Sequence, residues 1–128
     1  MIHQLDIDSF RGFSALSIRE LGQVNLLVGR NNCGKTSVLE AIHMLVATGD
    51  PSSIWHIATR RGEYVSSERQ PKARGPEIDI SQLFHGHELR PDSRFVIADD
   101  SERKVEATIE SAEEPSPSPE PYFLVKNG

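Results

Sequence analysis

Apolar and polar residues alternate twice near the N-terminus, at residues 5–8 and at residues 16–19. Period-two alternation predicts half-buried strands, so two short strands are expected to pair across the intervening turn "SFRGF" (residues 9–13). The next stretch, "QVNLLVG" (residues 23–29), becomes a nearly continuous apolar run. It predicts a third strand covered on both faces, as in a parallel sheet. Beyond it, apolar residues recur at steps of three and four, which predicts a helix from Lys35 to about Thr48.

A second helix is predicted at "PSSIWHIATRR" (residues 51–61). Asp50 can accept hydrogen bonds from free amides at its start, Pro51 loses no bond at the first position, and Gly62 closes the helix. Its inner face is predicted to consist of Ile54, Trp55 and Ala58. A third short helix is expected at "DISQLFHG", with Asp79 as its cap and Gly86 as its stop.

The second half of the chain has β character. The stretches "RFVIADD" and "KVEATIES" flank residues 101–103 as the strands of a hairpin would, and "YFLVKNG" predicts a last strand. Proline and serine alternate in the loop at residues 115–121, which excludes both a ladder and a helix there. We therefore divide one domain, residues 1–128, into strands and helices (1–62), a polar loop (63–77), and a short helix with a β-hairpin region (78–128).

Length and charge limit the possible functions. A chain of 128 residues matches one ordinary domain, and its net charge of -5 gives no general electrostatic footprint for nucleic acid. The basic stretch "RRGEYVSSERQPKARG" (residues 60–75) is interpreted as a solvated loop, with contact to a nucleic-acid backbone as the alternative. No apolar segment is long enough to cross a membrane and the N-terminus has no signal core, so a cytoplasmic protein is expected.

The segment Gly29-x-x-x-x-Gly34-Lys35-Thr36 fits the phosphate-binding P-loop pattern. Glycines at its two ends permit backbone conformations and close approaches that a Cβ would prevent, so the amides of about residues 32–36 can converge on one anion. Cys33 lies within the loop, where it is interpreted as a small filler residue. The alternative is a glycine-rich turn between a strand and a helix that binds nothing.

Three side chains after the second glycine fit phosphate chemistry. Lys35 can bridge the β- and γ-phosphates as a point charge, while the start of the helix behind it favours an anion. Thr36 offers a hydroxyl to Mg²⁺, and Ser37 is placed to reach the α-phosphate. The loop therefore predicts a nucleotide with Mg²⁺.

The stretch "GRNNCGKTSVLEAI", with Asn31 and Asn32 inside the loop, resembles the ATP-binding cassette (ABC) ATPases of the RecF/SMC group. In particular it resembles the N-terminal ATPase part of the OLD (overcoming lysogenization defect) nucleases and related bacterial defence ATPases. The motif "IDSFRGF" at residues 7–13 is similar to the strand turn with which these chains begin. In that family the turn folds over the nucleotide, and Arg11 matches an arginine that contacts it; taken alone, such a turn indicates only a hairpin bend.

This resemblance implies an α/β fold, the N-terminal portion of a P-loop NTPase (an ABC-type ATPase head) with an antiparallel β layer. It implies ATP and Mg²⁺ as ligands, a homodimer or the C-terminal remainder of the head as partner, and DNA as a possible partner of the parent protein. It also suggests Gln82 as a sensor of Mg²⁺, although a polar residue on a helix surface is the alternative. No membrane partner is expected.

Two acidic residues resemble a further ATPase motif. "FVIADD" has the form of a Walker B strand, in which Asp99 would hold Mg²⁺ through water and Asp100 would act as base. Because a hairpin partner follows within a few residues, we favour the hairpin. The chain is then expected to be truncated before the Walker B and signature motifs, and to bind ATP without appreciable turnover.

Two other classes remain open. One is a small self-contained P-loop kinase or GTPase, although the chain lacks the Asn-Lys-x-Asp motif that reads guanine. The other is a non-catalytic fragment that binds nucleotide or contributes structure. The leading hypothesis is the ATP-binding lobe of a RecF/SMC/OLD-like ATPase that acts in DNA repair or phage defence.

Overall fold

A computed structural model describes residues 1–65, 76–111 and 121–127 of the protein. Its centre is a five-stranded sheet in the order β2-β1-β3-β4-β5, in which every neighbouring pair is antiparallel. The strands are β1 (Leu5–Phe10), β2 (Phe13–Ile18), β3 (Arg94–Asp99), β4 (Lys104–Ser111) and β5 (Pro121–Asn127).

The register of the sheet confirms the predicted strand pairs. Ile7 of β1 lies opposite Leu16 of β2 on one side and Ile97 of β3 on the other, and Ile97 in turn faces Val105 of β4. The strand pair around the N-terminal turn, the β3–β4 hairpin and the final strand are therefore confirmed. Among the described residues, all five strands belong to the antiparallel β layer that the resemblance implied.

Two helices pack on one face of this sheet: α1 (Lys35–Val46) and α2 (Pro51–Arg61). The bounds of α2 agree with the prediction, because the Asp50 side chain accepts from the Ser52 amide at 2.9 Å and Gly62 ends the helix with a left-handed φ of 68°. The predicted third helix is a single 3₁₀ turn, Ile80–Leu83. Asp79 caps it as predicted, but it ends before Gly86.

The core lies between the helices and the sheet. Its largest side chains are three phenylalanines: Phe10 at the end of β1, Phe84 after the 3₁₀ turn, and Phe95 in β3. The Phe95 ring lies 5.1 Å from that of Phe10 and 5.2 Å from that of Phe84, both at steep angles. This cluster holds the 3₁₀ turn against the end of β1.

The prediction for the inner face of α2 was wrong at Trp55, which is 42% exposed. Ile54, Ile57 and Ala58 are buried instead. Residues three and four apart share one face of a helix, whereas the residue after Ile54 is rotated by about 100°. Ile57 therefore occupies the place that the sequence analysis assigned to Trp55.

The predicted buried strand at residues 23–29 was also wrong. These residues form neither strand nor helix, and Val24, Leu26 and Val28 are 92%, 86% and 83% exposed. Only Leu27 packs against the core. A strand forms only where a neighbour pairs with its backbone groups, and none of the five described strands pairs with this segment. No parallel strand exists among the described residues to cover this segment.

The basic residues Arg69, Lys72 and Arg74 of the predicted polar loop lie outside the described residues, as does most of the Pro/Ser loop at residues 115–121. Beside the first gap, Tyr64 pairs with Ile78, and the Val65 amide donates to Glu77 O at 2.8 Å. Within the described ranges, no helix is long and apolar enough to cross a membrane.

Replacement of Phe95 by Ala should lower the free energy of unfolding by about 3–5 kcal/mol, because the ring is fully buried between two others. Urea titration followed by circular dichroism measures this change. Leu39→Ala is the control, since Leu39 is 59% exposed and its truncation should cost within about 0.5 kcal/mol. Equal effects of the two substitutions would contradict the assigned core.

Candidate nucleotide site

The glycine-rich loop and the N-terminal turn lie on the same cavity, which has a volume of about 760 Å³. This volume falls within the roughly 300–1,000 Å³ of small-molecule sites. The walls come from four parts of the chain: residues 11–13, residues 31–37, Arg61 with Glu63, and Gln82 with His87. The two motifs predicted to act together are therefore brought together, although they are separate in the sequence.

The loop ends where α1 begins, and Gly34 makes the junction. Its φ of 97° is left-handed, a conformation that glycine adopts without steric cost. No side chain caps α1, and its first turn contains no acidic residue. The first amides of a helix have no partner within the helix, so they can donate to an anion at this end of the cavity.

Two close contacts explain why glycine stands at both ends of the motif. A Cβ on Gly34 would lie 2.4 Å from Cζ of Phe13, so the Phe13 ring rests directly on the loop. A Cβ on Gly29 would lie 2.6 Å from Sγ of Cys33. The first contact holds the β1–β2 turn against the loop, and the second lets Cys33 fill the space beside Gly29.

The Lys35 ammonium lies on the loop itself. Its Nζ donates to Gly29 O at 2.6 Å and to Arg30 O at 2.7 Å, and it lies 3.8 Å from Cys33 Sγ. The charge is therefore held against two carbonyl oxygens at the start of the loop. The Thr36 residue is exposed, whereas Ser37 is buried at the base of the cavity.

Arg11 also lines the cavity, but its guanidinium is bound by carboxylates. Nη1 and Nη2 donate to the two oxygens of Glu63 at 2.7 and 3.1 Å, and Nε lies 2.7 Å from Glu40 Oε2. Nη1 also donates to Gln82 O at 3.3 Å. Arg11 is thus a buried charge, 6% exposed, that joins α1, the segment after α2 and the 3₁₀ turn.

A second arginine shares Glu40. Arg61 donates from Nε and Nη2 to the two oxygens of Glu40 at 2.7 and 3.0 Å, and from Nη2 to Ser37 Oγ at 3.3 Å. The hydrogen bonds that Arg61 donates to the Glu40 carboxylate raise the Arg61 pKa above its ordinary value. Sequence reasoning missed Glu40, Glu63 and the fixed position of Arg61. Glu40 lies in the middle of α1 and Glu63 follows Gly62 after α2, so no sequence pattern links the two glutamates.

Gln82, which the resemblance suggested as a sensor of Mg²⁺, stands at the cavity wall. Its side-chain amide donates to Asp79 Oδ2 at 3.2 Å. Its carbonyl accepts from Arg11, as described above. The hydrogen bond from Arg11 to its carbonyl therefore holds Gln82 at the cavity wall.

Asp99 and Asp100 lie at the β3–β4 hairpin, and neither lines the cavity. Burial raises the Asp99 pKa, but hydrogen bonds from Ser101 and Arg103 outweigh burial and lower it. The Asp100 carboxylate accepts from the amides of residues 3 and 4, and the bond from residue 3 contributes most to lowering its pKa to about 2. The Asp99 carboxylate binds within the hairpin and the Asp100 carboxylate joins the hairpin to the N-terminus, which favours the hairpin interpretation over a Walker B strand.

A glycine-rich loop that opens onto a cavity before a helix N-terminus defines a class of anion-binding proteins. Residues 1–116 match the family described as "AAA ATPase domain". The chain therefore belongs to this ATPase family. Together with the relatives below, the match shows the N-terminal part of a RecF/SMC-like P-loop ATPase.

The chain is 52% identical over 42 residues to "DNA replication and repair protein RecF" of Marinomonas sp., which covers 33% of this chain and 11% of that protein. With the RecF protein of Clostridioides difficile it shares 43% identity over 44 residues, or 34% and 12% of the two chains. "Uncharacterized protein MJECL10" of Methanocaldococcus jannaschii is 36% identical over 55 residues, 43% of this chain and 25% of its own. The chain thus spans a quarter or less of these curated relatives. No solved structure matches it.

Replacement of Gly34 by Ala should lower the free energy of unfolding by about 1–3 kcal/mol, because a Cβ would meet the Phe13 ring and the φ of 97° disfavours any other residue. Chemical denaturation measures the loss. Gly12→Ala is the matched control on the same cavity, since a Cβ there has no neighbour within 4 Å. If both variants unfold alike, the ring does not lie on the loop.

Proposed function

We propose that this chain is the ATP-binding part of a RecF/SMC/OLD-like ATPase and binds ATP with Mg²⁺ at residues 29–37 and Arg11. The observation that carries the proposal is the single cavity shared by the glycine-rich loop and the N-terminal turn. In this proposal the loop amides and Lys35 bind the β- and γ-phosphates, and Thr36 binds Mg²⁺. In the same proposal, the Ser37 hydroxyl reaches the α-phosphate.

The proposed role of the parent protein is DNA repair or defence against phage in the cytoplasm. The names of the RecF relatives support DNA repair, and the resemblance of the loop to OLD proteins supports phage defence. Because Asp99 and Asp100 stand at the hairpin, we propose that this chain binds ATP without appreciable turnover. DNA and a second ATPase head are proposed as partners of the parent protein.

The alternative of a small self-contained kinase would need a lid rich in arginine, and "ATRRGEY" (residues 58–64) is the stretch of the sequence that would supply it. In that stretch Arg61 is bound to Glu40 and Ser37 of α1. Its guanidinium therefore serves as part of the cavity wall. This favours a nucleotide-binding lobe over a kinase with a mobile lid.

Lys35→Ala should weaken ATP binding roughly 10- to 100-fold, because a hydrogen bond to a charged group contributes about 1.5–3 kcal/mol. Isothermal titration calorimetry with ATP and Mg²⁺ measures the affinity, with GTP as the competing nucleotide. Lys104→Ala removes the same charge on β4 and should bind like the unmutated chain. An ATP affinity that is unchanged in a folded Lys35→Ala protein would overturn the proposed site.

We further propose that the remainder of the ATPase head covers the apolar strip formed by Val24, Leu26 and Val28. All three side chains are more than four-fifths exposed, and Leu39 and Val46 of α1 add to the apolar surface. The curated relatives are at least four times as long as the segments they share with this chain. Additional strands from such a remainder would supply the partners that residues 23–29 lack among the described residues.

The triple variant Val24→Ser, Leu26→Ser, Val28→Ser should unfold with nearly unchanged free energy, within about 0.5 kcal/mol per site, because the three side chains are 92%, 86% and 83% exposed among the described residues. Analytical ultracentrifugation should show that both proteins are mainly monomeric. The small amount of self-association should be lower in the variant than in the unmutated chain. A stable dimer of the unmutated chain that the triple variant dissociates would assign the strip to a second copy and refute a covering remainder.

A further inference from the structure

Arg11 and Glu63 form a bidentate ion pair in the wall of the cavity. The two N···O distances are 2.7 and 3.1 Å, and the two side chains are only 6% and 13% exposed. Both residues line the cavity together with the glycine-rich loop. The pair therefore stands where a nucleotide bound to that loop would lie.

The charges around Arg11 balance without any nucleotide. Glu40 is shared between Arg11 and Arg61, whereas Glu63 is paired with Arg11 alone among the described residues. Two guanidinium groups thus face two carboxylates. A phosphate that contacts Arg11 would leave one carboxylate in excess. Glu63 is the one without a second direct ion pair among the described residues, since Arg61 attracts it only from a distance.

We infer that Glu63 sets the affinity of the nucleotide site: its carboxylate binds Arg11 while the site is empty, and a phosphate of the bound nucleotide replaces it. The inference rests on the proposed ATP-binding function and extends it to a residue outside the loop and turn motifs. The guanidinium fork binds carboxylate and phosphate with the same bidentate geometry. Arg11 therefore needs no new orientation to change partners.

Only the side chain of Glu63 has to move in this exchange. Its amide donates to Ala58 O at 3.0 Å, and its carbonyl accepts from the Asp79 amide at 2.9 Å. The preceding Gly62 is left-handed at the end of α2. These contacts hold the backbone in place, so that a change of side-chain rotamer is sufficient to withdraw the Glu63 carboxylate, while Arg11 keeps its contacts with Glu40 and the Gln82 carbonyl.

Glu63→Gln should bind ATP with Mg²⁺ about tenfold more tightly than the unmutated chain, because the competing carboxylate and its repulsion of phosphate are both removed. Its empty form should unfold at a lower temperature, since Arg11 loses a buried partner, and saturating ATP should raise that temperature by more than in the unmutated chain. Calorimetry and thermal unfolding measure the two effects.

Glu102→Gln makes the same chemical change in the β3–β4 turn, away from the cavity, and should leave ATP affinity unchanged. If the unmutated chain binds no ATP, the proposed function fails. If it binds ATP and Glu63→Gln binds with equal or lower affinity, only the role of Glu63 fails. The two failures are therefore distinguishable.

A second measurement, by NMR, uses ATP binding to the unmutated chain. The side-chain NMR signals of Arg11 should shift when ATP and Mg²⁺ saturate the unmutated chain, as phosphate replaces carboxylate at Nη1 and Nη2. Signals that stay unchanged at saturation would show that the pair with Glu63 persists, and would overturn the inference even if Glu63→Gln fails to fold.

Discussion

The burial of one charged side chain, that of Arg11, determines how the parts of this protein meet. A guanidinium with 6% of its surface exposed must be paired, because an unpaired charge in the interior costs several kcal/mol. Its partners come from α1, from the segment after α2 and from the 3₁₀ turn. The same side chain thus fixes three elements relative to the N-terminal turn, and the cavity is the space left between them.

Packing in the apolar core also stabilises this arrangement. Phe10 directly precedes Arg11, and Phe84 follows the 3₁₀ turn by one residue; both rings pack on Phe95 in the centre of the sheet. Hydrophobic contacts therefore bring the turn and the 3₁₀ segment together, while hydrogen bonds from Arg11 set their alignment. Gln82 reaches the cavity wall as a result of both.

The sequence predicted those parts of the fold that depend on neighbouring residues. Asp50, Pro51 and Gly62 determine α2 locally, and period-two alternation determines the strands of the sheet. Residues 23–29 could not be predicted in this way, since burial of an apolar run depends on strands from elsewhere. The ion pair of Arg11 with Glu63 was equally inaccessible, because the two residues are 52 positions apart and neither belongs to a shared pattern.

The position of Lys35 bears on how quickly the loop could accept a ligand. Its ammonium holds the carbonyl groups of Gly29 and Arg30 together at hydrogen-bond distance, so the loop is already closed around its own cation. A preorganised loop loses little chain entropy when an anion arrives. Association would then be limited by diffusion and by release of the ammonium from two carbonyl oxygens, rather than by ordering of the backbone.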